Sequence, residues 1–477
     1  MNISLNELRY TKLEKLQEIN CPDDIVVFNN NDLFGASVTF ENKTFNCRKL
    51  IFENIANKDL SVHFYDCTFN CELEFDTCAF EDLIFASCDI KGSTLTILNA
   101  NINYLSFREN INDIHNIKRS NIKNGTIEIN GGNINSIDIE NVNFEKGKLT
   151  IINFDSIENC SIIRSTLNHV VISHCNFKSH FEYFGNKTAS KLDSAFFNHC
   201  TFNHSSFFET TFNSDTKFSD CKFLSETKFE SLASEFFSKI KFTDCEFFKS
   251  TTFNNALIHQ LSFEKNVFIG QISLQETYFD IIKIDRTIFE KGAFFDDIQI
   301  KKIDDCDRRT IRIIKQELQK SENKIDFSRF RVYEFNAYKK DIRKKLAEFK
   351  SDKNHFRYRK REPTQLKRDL FILNISDVVS EYGTDWKRAI KFTLITGLFW
   401  FSILYRIENS GVFNSEKINE FFVGAFRFFL VTDFFNPLEN DRTYLENGWS
   451  WLIFILGKIF IAFGIYEMIQ SFRKFKA

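Results

Sequence analysis

Proline is almost absent from this 477-residue chain, 3 in all, and methionine occurs twice. So little proline removes hard breaks from the backbone and excludes a proline-rich linker or a polyproline recognition segment. No CxxC pair occurs among the 12 cysteines, which sets aside the zinc-ribbon and thioredoxin readings that rest on that spacing. The opening residues, MNISLNELRYTKLEKLQEIN, lack the continuous apolar core of a secretory signal, so the repeats that follow are expected to stay in the cytosol. Cysteines from Cys21 to Cys245 are scattered at long intervals. In a reducing compartment that scatter predicts buried thiols, not disulfides.

Phenylalanine is what the chain has in excess, 59 residues. A short unit recurs, a small or polar residue, then Cys, any residue and Phe: Asp66-Cys67-Thr68-Phe69, Thr77-Cys78-Ala79-Phe80, His174-Cys175-Asn176-Phe177, His199-Cys200-Thr201-Phe202, Asp220-Cys221-Lys222-Phe223 and Asp244-Cys245-Glu246-Phe247. The last four copies are 25, 21 and 24 residues apart, and Phe often recurs five residues on, as in Phe75, Phe80 and Phe85. Cys and Phe two apart on a strand share one face, so stacked coils make ladders of both, with one coil for about 20–25 residues. Residues 1–25, with Leu5, Leu8, Leu13 and Leu16 at helical spacing, are expected to cap the N-terminal end of the stack.

In these units residues 1–300 resemble the bacterial pentapeptide-repeat proteins, whose five-residue units centre on Phe or Leu with a small residue two before. The resemblance implies a right-handed β-helix and says little about function, because that family is defined by its scaffold. Steps of six and the Asn- and Ile-rich stretch 101–140 depart from strict five-residue periodicity, leaving a more general β-helix open. His174-Cys175 and His199-Cys200 are not expected to bind zinc, since neighbours on a strand face opposite sides. Asp and Glu are scattered at turns without clustering in one groove, so neither a catalytic site nor a cofactor is expected.

Charge divides the chain. Residues 1–300 hold 28 Lys/Arg and 41 Asp/Glu, a balance of −13, whereas residues 301–477 hold 34 and 23, or +11. From Asp307 the apolar spacing turns helical, through Ile311, Ile314 and Leu318 and then Phe335, Tyr338, Ile342, Leu346 and Phe349. Residues 301–386 therefore read as a basic helical linker. Its cluster Arg357, Arg359, Lys360 and Arg361 is expected to meet anionic lipid headgroups, or else to pair with the acidic repeats; nucleic acid is not expected. Leu370 to Trp386 is too polar to span and reads as a helix lying at the bilayer surface.

Residues 387–477 read as a membrane hairpin, with spans at about 389–405 and 449–469. Lys387, Arg388 and Lys391 flank one outer end and Arg473, Lys474 and Lys476 the other, while loop 408–448 has 7 acidic and 3 basic residues. That asymmetry puts both termini in the cytosol, in the inner membrane of a bacterium. Between the spans, Phe421–Phe435 is apolar but short and carries Arg427, Thr432 and Asp433, so it is expected to enter the bilayer without crossing. Span, re-entrant helix and span together resemble the two-helix pore module of the potassium-channel superfamily. The sequence Thr432-Asp433-Phe434-Phe435-Asn436-Pro437 lacks the Thr-Val-Gly-Tyr-Gly filter, so potassium selectivity is not implied. Lys458 lies mid-span, where a lone charge costs at least ~3 kcal/mol, and requires a pore, a polar partner or a route to the surface. The expectation is a homo-oligomeric, channel-like pore with Asp433, Lys458, Arg427 and Thr432 at pore or assembly positions, and a repeat domain that senses or docks a cytosolic protein. The alternative is a tethered scaffold whose acidic repeats bind protein and whose hairpin is only an anchor.

Overall fold

A coil that turns after every short strand needs a residue with left-handed backbone at the corner, and polar residues adopt it most readily among those other than glycine. The repeat supplies one. In the computed structural model, Asp66, Thr77, Ser87, His174, His199, Asp220 and Asp244 have φ between 50° and 53°, each directly before the inward Cys. The small or polar residue of the repeat is thus a corner, and His174 and His199 stand on turns, their exposed rings 4.9 Å apart. Cys175 and Cys200 beside them point inward and donate to the Ile151 and Ile172 carbonyls of the preceding coil. Burial pushes the Cys78 and Cys175 thiols up to about 12.

The structure describes residues 18–29, 36–91, 94–108, 121–123, 126–140, 142–145, 148–163, 169–184, 192–208, 212–230, 239–351, 361–409, 417–439 and 443–473. The chain forms two compact units, Met1–Thr310 and Ile311–Ala477. The first is a β-solenoid of about 10 turns, in which every described strand pairing is parallel and joins one coil to the next, as Phe64 with Phe85 and Phe69 with Ile90. Burial recurs every five residues over one full coil, in the pairs Leu73/Phe75, Cys78/Phe80, Leu83/Phe85 and Cys88/Ile90. Rings stack at the strand spacing: Phe40, Phe64, Phe85 and Phe107 follow one another at 4.9, 5.0 and 5.0 Å, and Phe177, Phe202, Phe223, Phe247 and Phe268 at 5.2, 5.1, 4.5 and 4.4 Å.

Among the described residues of 94–184, aliphatic ladders run between the ring stacks that end at Phe107 and begin at Phe177. Ile97, Ile129, Ile151 and Ile172 lie in register and are fully buried. At the N-terminal end, Glu18–Phe28 is a strand paired with Thr44–Glu53, so helix does not extend over all of 1–25; the four leucines placed in a helical cap lie outside the described residues. At the other end the Thr310 hydroxyl accepts from the buried Ile284 N–H at 2.8 Å, and Asp307 accepts from Thr310 N at 2.9 Å, closing an edge that would otherwise offer unpaired backbone.

Glu264 bridges two coils on the outside, accepting from Lys241 at 2.7 Å and Lys283 at 2.9 Å. The two ammonium groups hold its carboxyl down at about 2, against an ordinary 4.5. A depressed carboxyl contributes stability that is fully present above its ordinary value and is lost as pH falls from about 4.5 towards 2. Glu264→Gln is therefore expected to flatten the acid dependence of unfolding in that window. At neutral pH it costs under ~1 kcal/mol, because all three side chains are partly solvated.

The second unit is helical: α1 (Arg308–Lys320, which begins at the end of the first unit), α2 (Lys324–Ser351), α3 (Arg361–Ser380), α4 (Trp386–Glu408), α5 (Lys417–Phe429) and α6 (Gly448–Phe472). Asp385 caps α4 by accepting from the Lys387 and Arg388 amides, and Asn447 caps α6 at Trp449. Helices α4 and α6 are both long and apolar enough to cross a membrane.

Candidate functional site

At 23 and 25 residues, α4 and α6 are ~35 and ~38 Å long, enough for a ~30 Å hydrocarbon core, whereas the 13 residues of α5 reach only ~20 Å. The two long helices run antiparallel, as their contacts show: Trp386 stacks on Phe472 at one end, Gly464 meets Thr393, and Trp400 stacks on Phe460. Leu394, Ile395, Phe399, Leu452, Ile455 and Ile459 leave their outer sides apolar and exposed.

Helix α5 is wedged between the two. Phe421 packs on Phe401 and Tyr405 near the far end of α4, and Phe428 packs on Phe401 and Phe454. Its C-terminal rings lie over glycines: a Cβ on Gly397 would stand 2.3 Å from Phe429, and one on Gly457 2.4 Å from Phe428. Gly397 and Gly457 are near the midpoints of their helices, so α5 descends from one end and stops at mid-height. Non-helical backbone follows from Leu430 to Glu439, and Pro437 has already climbed back to the level of Gly424.

A helix end leaves its last carbonyls without intrahelical partners. Lys458 supplies the partner. Its side chain is 5 % exposed, its Nζ donates to the Leu430 carbonyl at 2.6 Å, and it lies 4.9 and 5.4 Å from the Phe454 and Phe428 ring centroids. The mid-span charge thus closes the C-terminal end of α5, a favourable place for a cation, and is satisfied within its own chain. Asp433 N–H also donates to Leu430 O, at 3.0 Å, the Asp433 carboxylate accepts from Phe435 N at 3.1 Å, and its field reaches Lys458. Arg427 donates to the Glu439 carbonyl at 2.7 Å and so braces the returning segment. Thr432 is exposed in the loop that follows α5. The structure thus brings Lys458 and Asp433 together around Leu430 and places Arg427 one turn away as a brace.

The other end of the hairpin holds a polar joint. Ser380, fully buried at the end of α3, donates to the Glu467 carboxylate of α6 at 2.5 Å and accepts from Gly383 N at 2.7 Å. Glu381, Tyr382 and Gly383 are successive left-handed residues with φ of 50°, 59° and 74°. Arg331 of α2 donates to the Tyr382 carbonyl at 2.8 Å, and Tyr382 Oη donates to Asn336 at 3.1 Å. Lys339 bonds Asp377 at 2.7 Å, tying α2 to α3. Burial pushes Arg331 down from its ordinary value and the Tyr382 phenol up. Glu467 is the signal the sequence offered here, a single acid inside the second apolar run.

Phe371, Ile372, Ile375 and Val378 leave an exposed apolar stripe along α3. Arg357, Arg359 and Lys360 lie outside the described residues, and Arg361 opens α3 without a described side chain. Among the described residues no three His, Cys, Asp or Glu side chains converge to hold a metal ion. Comparison of the chain with protein-family models, with curated proteins and with solved structures gives no match.

Proposed function

We propose that the protein is an oligomeric membrane pore whose re-entrant helix α5 and following loop line the path, with a cytosolic solenoid that docks or senses a protein partner. One observation carries this reading: irregular backbone at mid-height of two membrane-length helices, with Thr432 and Leu430 exposed in the single chain. Such backbone is tolerated at membrane depth only against protein or a water-filled cavity, never against lipid. Two spans cannot enclose a cavity, so several copies must supply the remaining walls. A plain anchor requires neither α5 nor a cation placed to hold its end. Lys458 occupies the C-terminal end of α5, so the negative charge left to face the path is that of Asp433, and a ring of Asp433 carboxylates from several copies favours cations over anions. The exposed stripe of α3 suits a helix lying in the headgroup region, and the basic cluster Arg357, Arg359, Lys360 and Arg361 suits anionic lipid on the same side.

Vesicle flux tests the reading. Proteoliposomes holding the full chain are expected to pass small monovalent cations faster than chloride, and Asp433→Asn to reduce that preference. Inserted protein that leaves the vesicles as tight as empty ones would sink the pore and leave the tethered scaffold.

A further inference from the structure

Two cavities lie along α2 within the helical unit. The larger, about 580 Å³, mixes Arg329 and Lys387 with Glu381 and Asp385, so its charges offset one another. The smaller, about 210 Å³, is lined by Lys324, Phe327, Ser328 and Arg331 from one face of α2 and by Gln470 and Arg473 from the end of α6. Three cations meet there, and no carboxylate lines it among the described residues. We propose that this smaller cavity is a binding site for a phosphate group carrying net negative charge, either the headgroup of an anionic phospholipid or a free phosphate.

The site is built before any ligand arrives. Arg331 Nη2 is fixed by the Tyr382 and Gly383 carbonyls at 2.8 and 3.3 Å, and its buried Nε makes no hydrogen bond among the described residues. Glu467 is the acid whose field reaches Arg331, and its carboxylate is engaged by Ser380. Arg473, the C-cap of α6, is favoured by that helix's own dipole. Lys324, the first residue of α2, lines the cavity beside Arg331 and adds the third cation to it. Ser328 adds a hydroxyl and Gln470 an amide, the donors that phosphate oxygens accept from. The volume is below the ~300–1,000 Å³ of sites for drug-sized ligands and suits a headgroup phosphate. Occupancy would join α2 to α6 directly, beside the Ser380–Glu467 bond. The phosphate chemistry stands on these residues alone; only the lipid source rests on the membrane reading above.

The test uses the full chain in a non-ionic detergent and reads thermal unfolding while short-chain phosphatidic acid, short-chain phosphatidylcholine or inorganic phosphate is titrated in. Phosphatidic acid is expected to raise the midpoint and phosphatidylcholine, which has no net charge, to do little. A rise with inorganic phosphate alone assigns the free ion; a rise with phosphatidic acid alone assigns the lipid. Lys324→Gln and Arg473→Gln should each weaken binding about fivefold, the equivalent of ~1 kcal/mol per basic residue. Both leave the Arg331 contacts to the turn intact, so a folding defect is not expected. No rise with either anion overturns the site. So does a rise that survives the double change but disappears in Arg357→Gln/Arg359→Gln/Lys360→Gln, which would move the binding to the basic cluster. No conductance enters the readout, so a failed site and a failed pore remain distinguishable.

Discussion

Phe218→Ala is expected to destabilise the solenoid by about 3–5 kcal/mol, the cost of emptying a fully packed aromatic position. Phe218 is fully buried, stacks on Phe197 at 4.5 Å and on Phe242 at 4.8 Å, and meets the edges of Phe207, Phe223 and Phe229. A stacked coil touches only its neighbours above and below, so the loss should spread to them and stop. Hydrogen exchange of the full chain is expected to show faster opening in Leu192–Asn198, Phe212–Ser219 and Lys239–Thr243, with Leu73–Phe107 unchanged. Phe196→Ala, next in sequence to a stacked ring but 38 % exposed, serves as the control and should cost under ~1 kcal/mol. Equal costs at the two positions would mean that the ladder is not what holds the coils.

Lys458→Leu tests the pore reading through conductance, because both readings allow the variant to insert at least as well as the wild type. If the hairpin is an anchor, removing a mid-span charge improves insertion by about 3 kcal/mol and changes nothing else. If α5 must be held at mid-height, the same change leaves the Leu430 carbonyl without its Nζ donor, a penalty of about 1–3 kcal/mol on the seated loop. Conductance is then expected to be lost while the spans insert as well as or better than before. Lys458→Arg keeps a donor but needs more room beside Phe428 and Phe454, so partial conductance is the expected outcome. A Lys458→Leu protein that conducts normally would remove Lys458 from the mechanism.

Much of this architecture was legible in the sequence because it is periodic. The Cys-x-Phe pair named the buried face, and the polar residue before it turned out to be the left-handed corner. Residues 101–140 read as an interruption because the residue type changed from Phe to Ile. Among the described residues of that stretch, Ile102, Ile127, Ile129, Ile134, Ile137 and Ile139 are fully buried and lie in register with their neighbouring coils. Asn266 was not legible as a core residue: it stands where the ladder has Cys, fully buried, accepting from Cys245 N at 2.9 Å and donating to the Phe242 carbonyl at 3.0 Å. At the hairpin, Lys458 announced that it needed a partner, but a backbone carbonyl 28 residues away leaves no mark on composition. The joint of Arg331, Ser380 and Glu467 was half legible: Glu467 stands out as a single acid in an apolar run, but its partners are distant in sequence and individually ordinary.

Single-channel recording from the purified full chain in planar bilayers tests the central claim most directly. The account predicts discrete openings that prefer cations, with the preference reduced in Asp433→Asn and the openings abolished in Lys458→Leu. Silent bilayers from wild-type protein shown to be inserted and oligomeric would contradict it, and would leave α5 as a packing element of a membrane-tethered scaffold.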